Sequence, residues 1–160
     1  MGLAEVANIL WRERESLELL LFKLEEERLM LATGRSRWLT QATHEVEIVL
    51  DRIRQTEVLR ALEVDAAAED LGLPPNPSLS QLAEAAGEPW AQLLREHRKA
   101  FLMLTSEIAA LAAANRELLT AGQRAAREAV LAVTGSLETY GRRGDSATAV
   151  PAARLLDEAM

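Results

Sequence analysis

Between Pro89 and Thr134 the chain has no internal proline and a single glycine, Gly122, and apolar residues recur there at helical spacing. Leu94, Phe101, Ile108 and Asn115 lie seven apart, as do His97, Leu104, Leu111, Leu118 and Ala125. Two interleaved sevens are the seam of a helix packed lengthwise on other helices. At 1.5 Å per residue such a rod is about 70 Å long. The helical segments before it are shorter, so one end of the rod is expected to extend beyond its neighbours.

A first helix is expected over 3–32, stopped by Gly34. Leu3, Leu10, Leu17, Leu24 and Leu31 form its heptad series, with Val6, Leu20 and Leu21 beside them. At 100° steps a weaker stripe falls on the opposite side: Trp11, Leu19, Phe22, Leu29 and Met30. Two stripes fit a helix wedged between neighbours, with both faces buried inside one bundle, or a helix that presents a dimer surface. Glu13 and Glu27 fall near the seam, where polar residues fix register or meet a basic partner. The run Glu25-Glu26-Glu27 otherwise reads as solvated helix surface.

A second helix follows over 36–71 and ends at Gly72, where Leu73-Pro74-Pro75-Asn76-Pro77 forbids continuation. The short connection at Thr33-Gly34-Arg35-Ser36 makes the first two helices an antiparallel hairpin. Ser78 and Gln81 have capping-box spacing and open a short helix over 79–86, closed by Gly87. The rod follows over 89–134, with Gly135 as its expected stop. These signals predict an all-α fold. It is an elongated antiparallel bundle of three long helices with one short crossover helix, occupying residues 1–135. Residues 136–160, rich in Gly, Ser, Thr and Ala, are expected to form a mobile tail.

Composition restricts function. The 160 residues are 49% hydrophobic, enough for one soluble domain with a core, and aromatics are only 4%. There is no cysteine, which removes disulfides and thiolate metal sites and fits a reducing, cytoplasmic setting. A net charge of −7 disfavours nucleic acid, whose binding is driven by Lys and Arg neutralising phosphates. No apolar run approaches the roughly 18 residues of a membrane span. The helix-turn-helix look of 78–95 fails for the same electrostatic reason: the second helix would begin Pro89-Trp90-Ala91-Gln92-Leu93.

Catalytic chemistry finds no support. The only histidines, His44 and His97, stand on different helices. His44 with Glu47 is a His-x-x-Glu pair, but the Glu-x-x-His of di-iron bundles is absent. His97 sits on the seam as a partly buried polar residue. Phosphate-binding glycine patterns are missing as well. No enzyme activity, cofactor or metal site is expected. Asn115, a lone polar residue on the seam, reads as a determinant of register or oligomeric state.

The stretch Leu111-Ala112-Ala113-Ala114-Asn115-Arg116-Glu117-Leu118-Leu119 resembles the Leu-Asn-x-x-Asn-x-x-Leu-Leu signature of the FlgN family of flagellar export chaperones. Leu111, Asn115, Leu118 and Leu119 match it, and Ala112 replaces its first asparagine. Tyr140-Gly141 is similar to the family's ending, and Ile9 to Leu21 with Leu24 and Glu25 to its opening helix. The resemblance implies a cytoplasmic chaperone for type III protein export in bacterial flagellum biogenesis. Such a chaperone binds hook-associated proteins of the hook–filament junction, prevents their premature assembly and delivers them to the export apparatus. It further implies that the C-terminal helical region engages a helical segment of the substrate. On this sequence the substrate-binding surface would comprise Leu118, Leu119, Ala125, Ala126, Ala129, Val130, Val133, Leu137 and Tyr140, with Leu131 beside them. If the second helix covers the rod only to about Arg124, these residues lie at or beyond the covered part. A homodimer could cover the same patch, and a non-catalytic, self-associating coiled-coil scaffold is the alternative reading.

Overall fold

The computed structural model describes the backbone of residues 2–140 and the side chains of residues 2–135. Four helices follow one another: α1 (Leu3–Ala32), α2 (Leu39–Asp70), α3 (Leu79–Ala86) and α4 (Trp90–Tyr140). A 3-10 turn over Ser36–Trp38 precedes α2, so the first turn of the expected second helix is wound more tightly than the rest. No strand occurs among the described residues. The fold is the all-α bundle that the sequence implies.

Local chemistry sets the ends of these helices. At the end of α1, Gly34 adopts φ +67°, the Arg35 N–H donates to Met30 O (3.1 Å) and the Gly34 N–H to Leu31 O (3.4 Å). Gly72, at φ +71°, ends α2 in the same way, with the Leu73 N–H donating to Ala68 O (2.8 Å). These are Schellman closures, which need a residue without a Cβ penalty in the left-handed region. The Ser78–Gln81 capping box is present in both directions, Gln81 N–H to Ser78 Oγ at 3.1 Å and Ser78 N–H to Gln81 Oε1 at 2.9 Å. The expected stop at Gly135 does not occur: α4 continues to Tyr140. A single glycine costs a helix about 1 kcal/mol but leaves its hydrogen bonding intact. Residues 141–160 of the expected tail lie outside the described residues.

The packing centres on α1. It runs antiparallel to α2, as shown by Glu13 meeting Arg60 and Glu27 meeting Thr43. It runs parallel to α4, since Trp11 meets His97 and Leu24 meets Asn115. The backbone of α4 approaches α1 and α3 rather than α2. One core cluster, at the α3 end, joins Val6, Leu10, Val64, Leu82, Ala83, Ala91 and Leu94. A second joins Leu17, Leu20, Leu24, Val46, Val49, Ile53 and Leu111, with Leu104 and Ile108 against it. Phe101 packs against both. Between the clusters each long helix contributes buried polar residues: Glu13 and Ser16 from α1, Thr56 from α2, His97 from α4.

The two stripes of α1 have different fates. The leucine seam is covered on its α2 and α4 sides. The opposite stripe is only partly buried: Leu19 packs against the second core cluster and Met30 is half-buried, but Trp11 is 47%, Phe22 59% and Leu29 63% exposed. The cause is architectural. With only α2 and α4 against it, α1 buries the arc toward those two neighbours and leaves the far side to solvent. Trp11 keeps its ring edge-on to His97, with centroids 4.7 Å apart, and the Arg14 guanidinium lies over it at 5.0 Å.

Candidate partner-binding surface

The seam of α4 passes through three environments. Ala91, Leu94 and His97 are buried beside α3 and the start of α1, and Leu111 and Asn115 are buried beside its second half. Leu118 and Leu119 are half-buried. From Arg124 to Gly135 every residue is exposed, including Ala125, Ala126, Ala129, Val130, Leu131 and Val133. At 100° per residue Ala126, Val130 and Val133 stay on the Leu119 side of the helix, while Ala125 and Ala129 continue the Leu118 side. The helix thus keeps its apolar face after its partner has ended. It is α1, rather than α2, that runs along this face; Met30 and Leu31 stand where α1 runs out.

There the chain forms an open groove of about 230 Å³. Its walls are Met30 and Leu31 from α1, Gly34 and Ser36 from the turn, Leu39 from α2, and Leu118, Leu119, Gly122, Gln123 and Ala126 from α4. Of the residues singled out by sequence, Leu118, Leu119 and Ala126 are brought together in this groove. Ala125, Ala129, Val130 and Val133 lie on the projecting part of α4 instead. Leu137 and Tyr140 belong to α4 by backbone, and their side chains lie outside the described residues. Sequence reasoning missed the α1 and turn walls and Gly122. The available signal was Gly122 itself, which falls seven residues after Asn115 in the same series.

Asn115 and Leu111 hold α4 in place beneath the groove. The Asn115 Nδ2 donates to Leu24 O (2.9 Å) and to Glu27 Oε1 (3.0 Å), and Glu27 also accepts from the Thr43 hydroxyl (3.1 Å). One buried amide therefore links α4 to α1, and Glu27 extends the link to α2. Glu27 meets a polar network here rather than a basic partner. Glu13, buried in the middle of α1, accepts from Arg60 Nη1 with both carboxylate oxygens, Oε1 at 3.0 Å and Oε2 at 2.9 Å. Burial pushes the Glu13 carboxyl above its usual range, and the Arg60 charge works against that shift. At the outer face of the hairpin Lys23 bridges Glu26 and Glu45, at 3.2 Å each. Its ammonium is held above the usual value by these hydrogen bonds, and Lys23 lowers the Glu45 carboxyl in turn.

The histidines part company. His44 is exposed and 4.0 Å from Glu47. His97 is 1% exposed, and neither ring nitrogen has a hydrogen-bond partner among the described residues. Burial, with Arg14 nearby, pushes its pKa down. Among the described residues no three His, Cys, Asp or Glu side chains cluster as metal ligands. No described helix is long and apolar enough to cross a membrane.

Asn115, which matches the signature asparagine of the resemblance noted above, is the residue that ties the long last helix to α1. The family model described as FlgN protein matches residues 1–148. The chain belongs to the FlgN family. No curated protein and no solved structure gives a significant match. FlgN membership brings the coarse role of a flagellar export chaperone, a family not known for enzymatic activity, with flagellar proteins as the kind of partner. In this FlgN protein, Leu111 and Asn115 of the signature stretch are interior and structural, while Leu118 and Leu119 border the open groove.

Proposed function

We propose that this protein binds hook-associated proteins of the hook–filament junction in the cytoplasm, prevents their premature assembly and delivers them to the flagellar export gate. The surface that holds them is the groove at Leu118 and Leu119 and the exposed α4 face through Ala125, Ala126, Ala129, Val130 and Val133, to which the sequence adds Leu137 and Tyr140. One observation carries this reading: the apolar face that packs α4 on α1 continues, solvent-exposed, for several turns after α1 has ended. A helix face of this kind suits an amphipathic segment laid alongside it. The test is calorimetric titration of the full chain with hook-associated proteins of the same organism, repeated with Val130→Glu/Val133→Glu. Both positions are exposed, so the variant should keep its helix content and lose binding. Unchanged affinity in the variant, or no binding by the native chain, refutes the proposal.

A second reading, self-association as a scaffold, is favoured by the exposed apolar residues on the opposite flank. Trp11, Phe22 and Leu29 lie on α1, and Ile48, Val58, Leu59 and Leu62 on α2. Sedimentation equilibrium separates it: a tight dimer abolished by Leu59→Glu/Leu62→Glu supports the scaffold, and a monomer excludes it.

A further inference from the structure

The α3 end of the bundle carries an apolar surface that no described element covers. Val58 and Leu62, each 63% exposed, stand one turn apart on the outer face of α2. Asp65 and Glu69 continue the same face at helical spacing, so the strip from Val58 to Glu69 is about 16 Å long. The Asn76 N–H donates to Asp65 Oδ1 (2.6 Å) and holds the loop after α2 against this face. Asn76 also lines an open groove of about 580 Å³, whose apolar walls are Leu73, Pro74, Pro75, Pro77 and Ala85 and whose acidic wall is Glu84.

The charge of the chain is concentrated at this same end. From Ala61 to Leu94 there are six acidic residues, Glu63, Asp65, Glu69, Asp70, Glu84 and Glu88, and no lysine, arginine or histidine. The chain's 25 acids and 18 lysines and arginines thus divide unequally: the stretch takes six acids and none of the cations, so it supplies −6 of the net −7. Of the six, only Glu88 enters an ion pair among the described residues, with Arg95 at 3.2 Å. Glu69 and Glu84 stand in the last turns of α2 and α3, where the helix dipole favours cations and no basic residue is present. Helix stability does not place acids there. Among the described residues no three His, Cys, Asp or Glu side chains cluster as metal ligands; these carboxylates are spread along a strip.

We propose that this face of α2 and the adjoining proline-walled groove dock a basic amphipathic helix of a partner protein, with its apolar stripe on Val58 and Leu62 and its lysines or arginines toward Asp65, Glu69 and Glu84. Charge complementarity selects the occupant. The same carboxylates repel nucleic acid and anionic membrane, and a second copy would bring like charges face to face. The apolar pair supplies contact area, and the carboxylates steer and orient the arriving helix. Leu94 packs with Leu82 and Ala83 of α3, and about 36 Å of α4 separates it from Leu118. This surface and the groove at the opposite end can therefore be occupied at once, and the inference is independent of what α4 holds.

The test uses the full chain and two synthetic three-heptad helices with one leucine stripe, flanked by lysine in one and by glutamate in the other. By fluorescence anisotropy at low salt the lysine peptide should bind about tenfold or more tightly than the glutamate peptide, and the gap should close as salt rises. Val58→Ser/Leu62→Ser and, separately, Glu69→Gln/Glu84→Gln should each weaken the lysine peptide about tenfold. All four positions are exposed, so circular dichroism should stay unchanged. Glu107→Gln/Glu117→Gln, which removes two exposed acids elsewhere on α4, should leave binding as it is. Amide shifts on adding the lysine peptide should centre on residues 58–69 and 73–85. Equal binding of the two peptides, a loss with Glu107→Gln/Glu117→Gln as large as with Glu69→Gln/Glu84→Gln, or shifts centred on residues 118–126 overturns the proposal. So does a dimer in sedimentation equilibrium that Val58→Ser/Leu62→Ser dissolves, since a second copy then covers the face.

Discussion

Replacing His97 with leucine should stabilise the protein and remove a pH dependence from it. In the native fold the imidazole is 1% exposed and neither nitrogen reaches a hydrogen-bond partner among the described residues. A neutral imidazole carries one donor and one acceptor, and leaving a buried polar group unpaired costs about 1–3 kcal/mol. Leucine of similar size removes that cost. It also forfeits the ring contacts, edge-on to Trp11 at 4.7 Å and stacked on Phe101 at 6.2 Å. An aromatic pair of this kind is worth about 0.5–1.5 kcal/mol, so the net gain at pH 7 is about 1 kcal/mol. In a chain of this length that raises Tm by about 2–4 °C.

The pH arm is sharper. Burial holds the His97 pKa below the ordinary histidine value. The side chain is therefore neutral in both states above about pH 6.5, whereas below that the unfolded chain takes up a proton that the folded chain refuses. Stability from this group is complete above pH 6.5 and is lost as pH falls toward the folded value, at about 1.4 kcal/mol per pH unit. His97→Leu should abolish that component, so its advantage over the native chain should widen between pH 7 and pH 5. Urea unfolding at half-unit pH steps measures it, with His44→Gln as the control for an exposed histidine. Parallel curves for native and His97→Leu, or a variant less stable at every pH, would refute the reasoning.

The two buried polar links between helices should respond in their own ways. Asn115→Ala removes the bonds to Leu24 O and Glu27 and should cost about 1–2 kcal/mol in thermal melts. Asn115→Asp sets a carboxylate against a carbonyl and a carboxylate, so it should cost about 2–4 kcal/mol at pH 7. That penalty should shrink as pH falls and the new aspartate, its pKa raised by this environment, takes a proton. A penalty for Asn115→Asp no larger than for Asn115→Ala would show that the amide donor is not what holds α4. Arg60→Ala leaves the Glu13 carboxylate buried without its cation and should destabilise by about 2–3 kcal/mol at pH 7. Because burial already raises the Glu13 pKa, protonation relieves that loss as pH falls, and Glu13→Gln/Arg60→Ala should recover most of it at neutral pH. No recovery in urea titrations of the double variant would overturn this account.

Much of this was legible from local chemistry. Apolar spacing marked the helices and their inward faces, and the glycines at 34 and 72 marked where α1 and α2 stop. The Ser78–Gln81 box placed α3, because capping is settled within four residues. The single misplaced stop, Gly135, shows the limit of that logic: glycine permits a helix to end without compelling it. At the candidate surface the sequence identified Leu118, Leu119 and Ala126 through helical period and the family signature. It could not identify Met30, Leu31 and Leu39 as walls of the same groove, since period marks a face and not what lies across from it.

By itself, then, the sequence determined an acidic, all-helical chain with a last helix longer than its neighbours, because these properties follow from composition, period and helix-end chemistry within a few residues. Only the tertiary structure decided that α1 lies at the centre, with α2 and α4 on either side. That choice buried the leucine seam and left Trp11, Phe22 and Leu29 exposed. It closed His97 between Trp11 and Phe101, where its ring nitrogens meet no hydrogen-bond partner among the described residues, and joined Asn115 to a carbonyl 91 residues away. It also brought the end of α1, the turn and the middle of α4 around Gly122. Such juxtapositions depend on which of several similar apolar faces pack together, and that is settled by the shapes of whole helices rather than by any stretch of sequence.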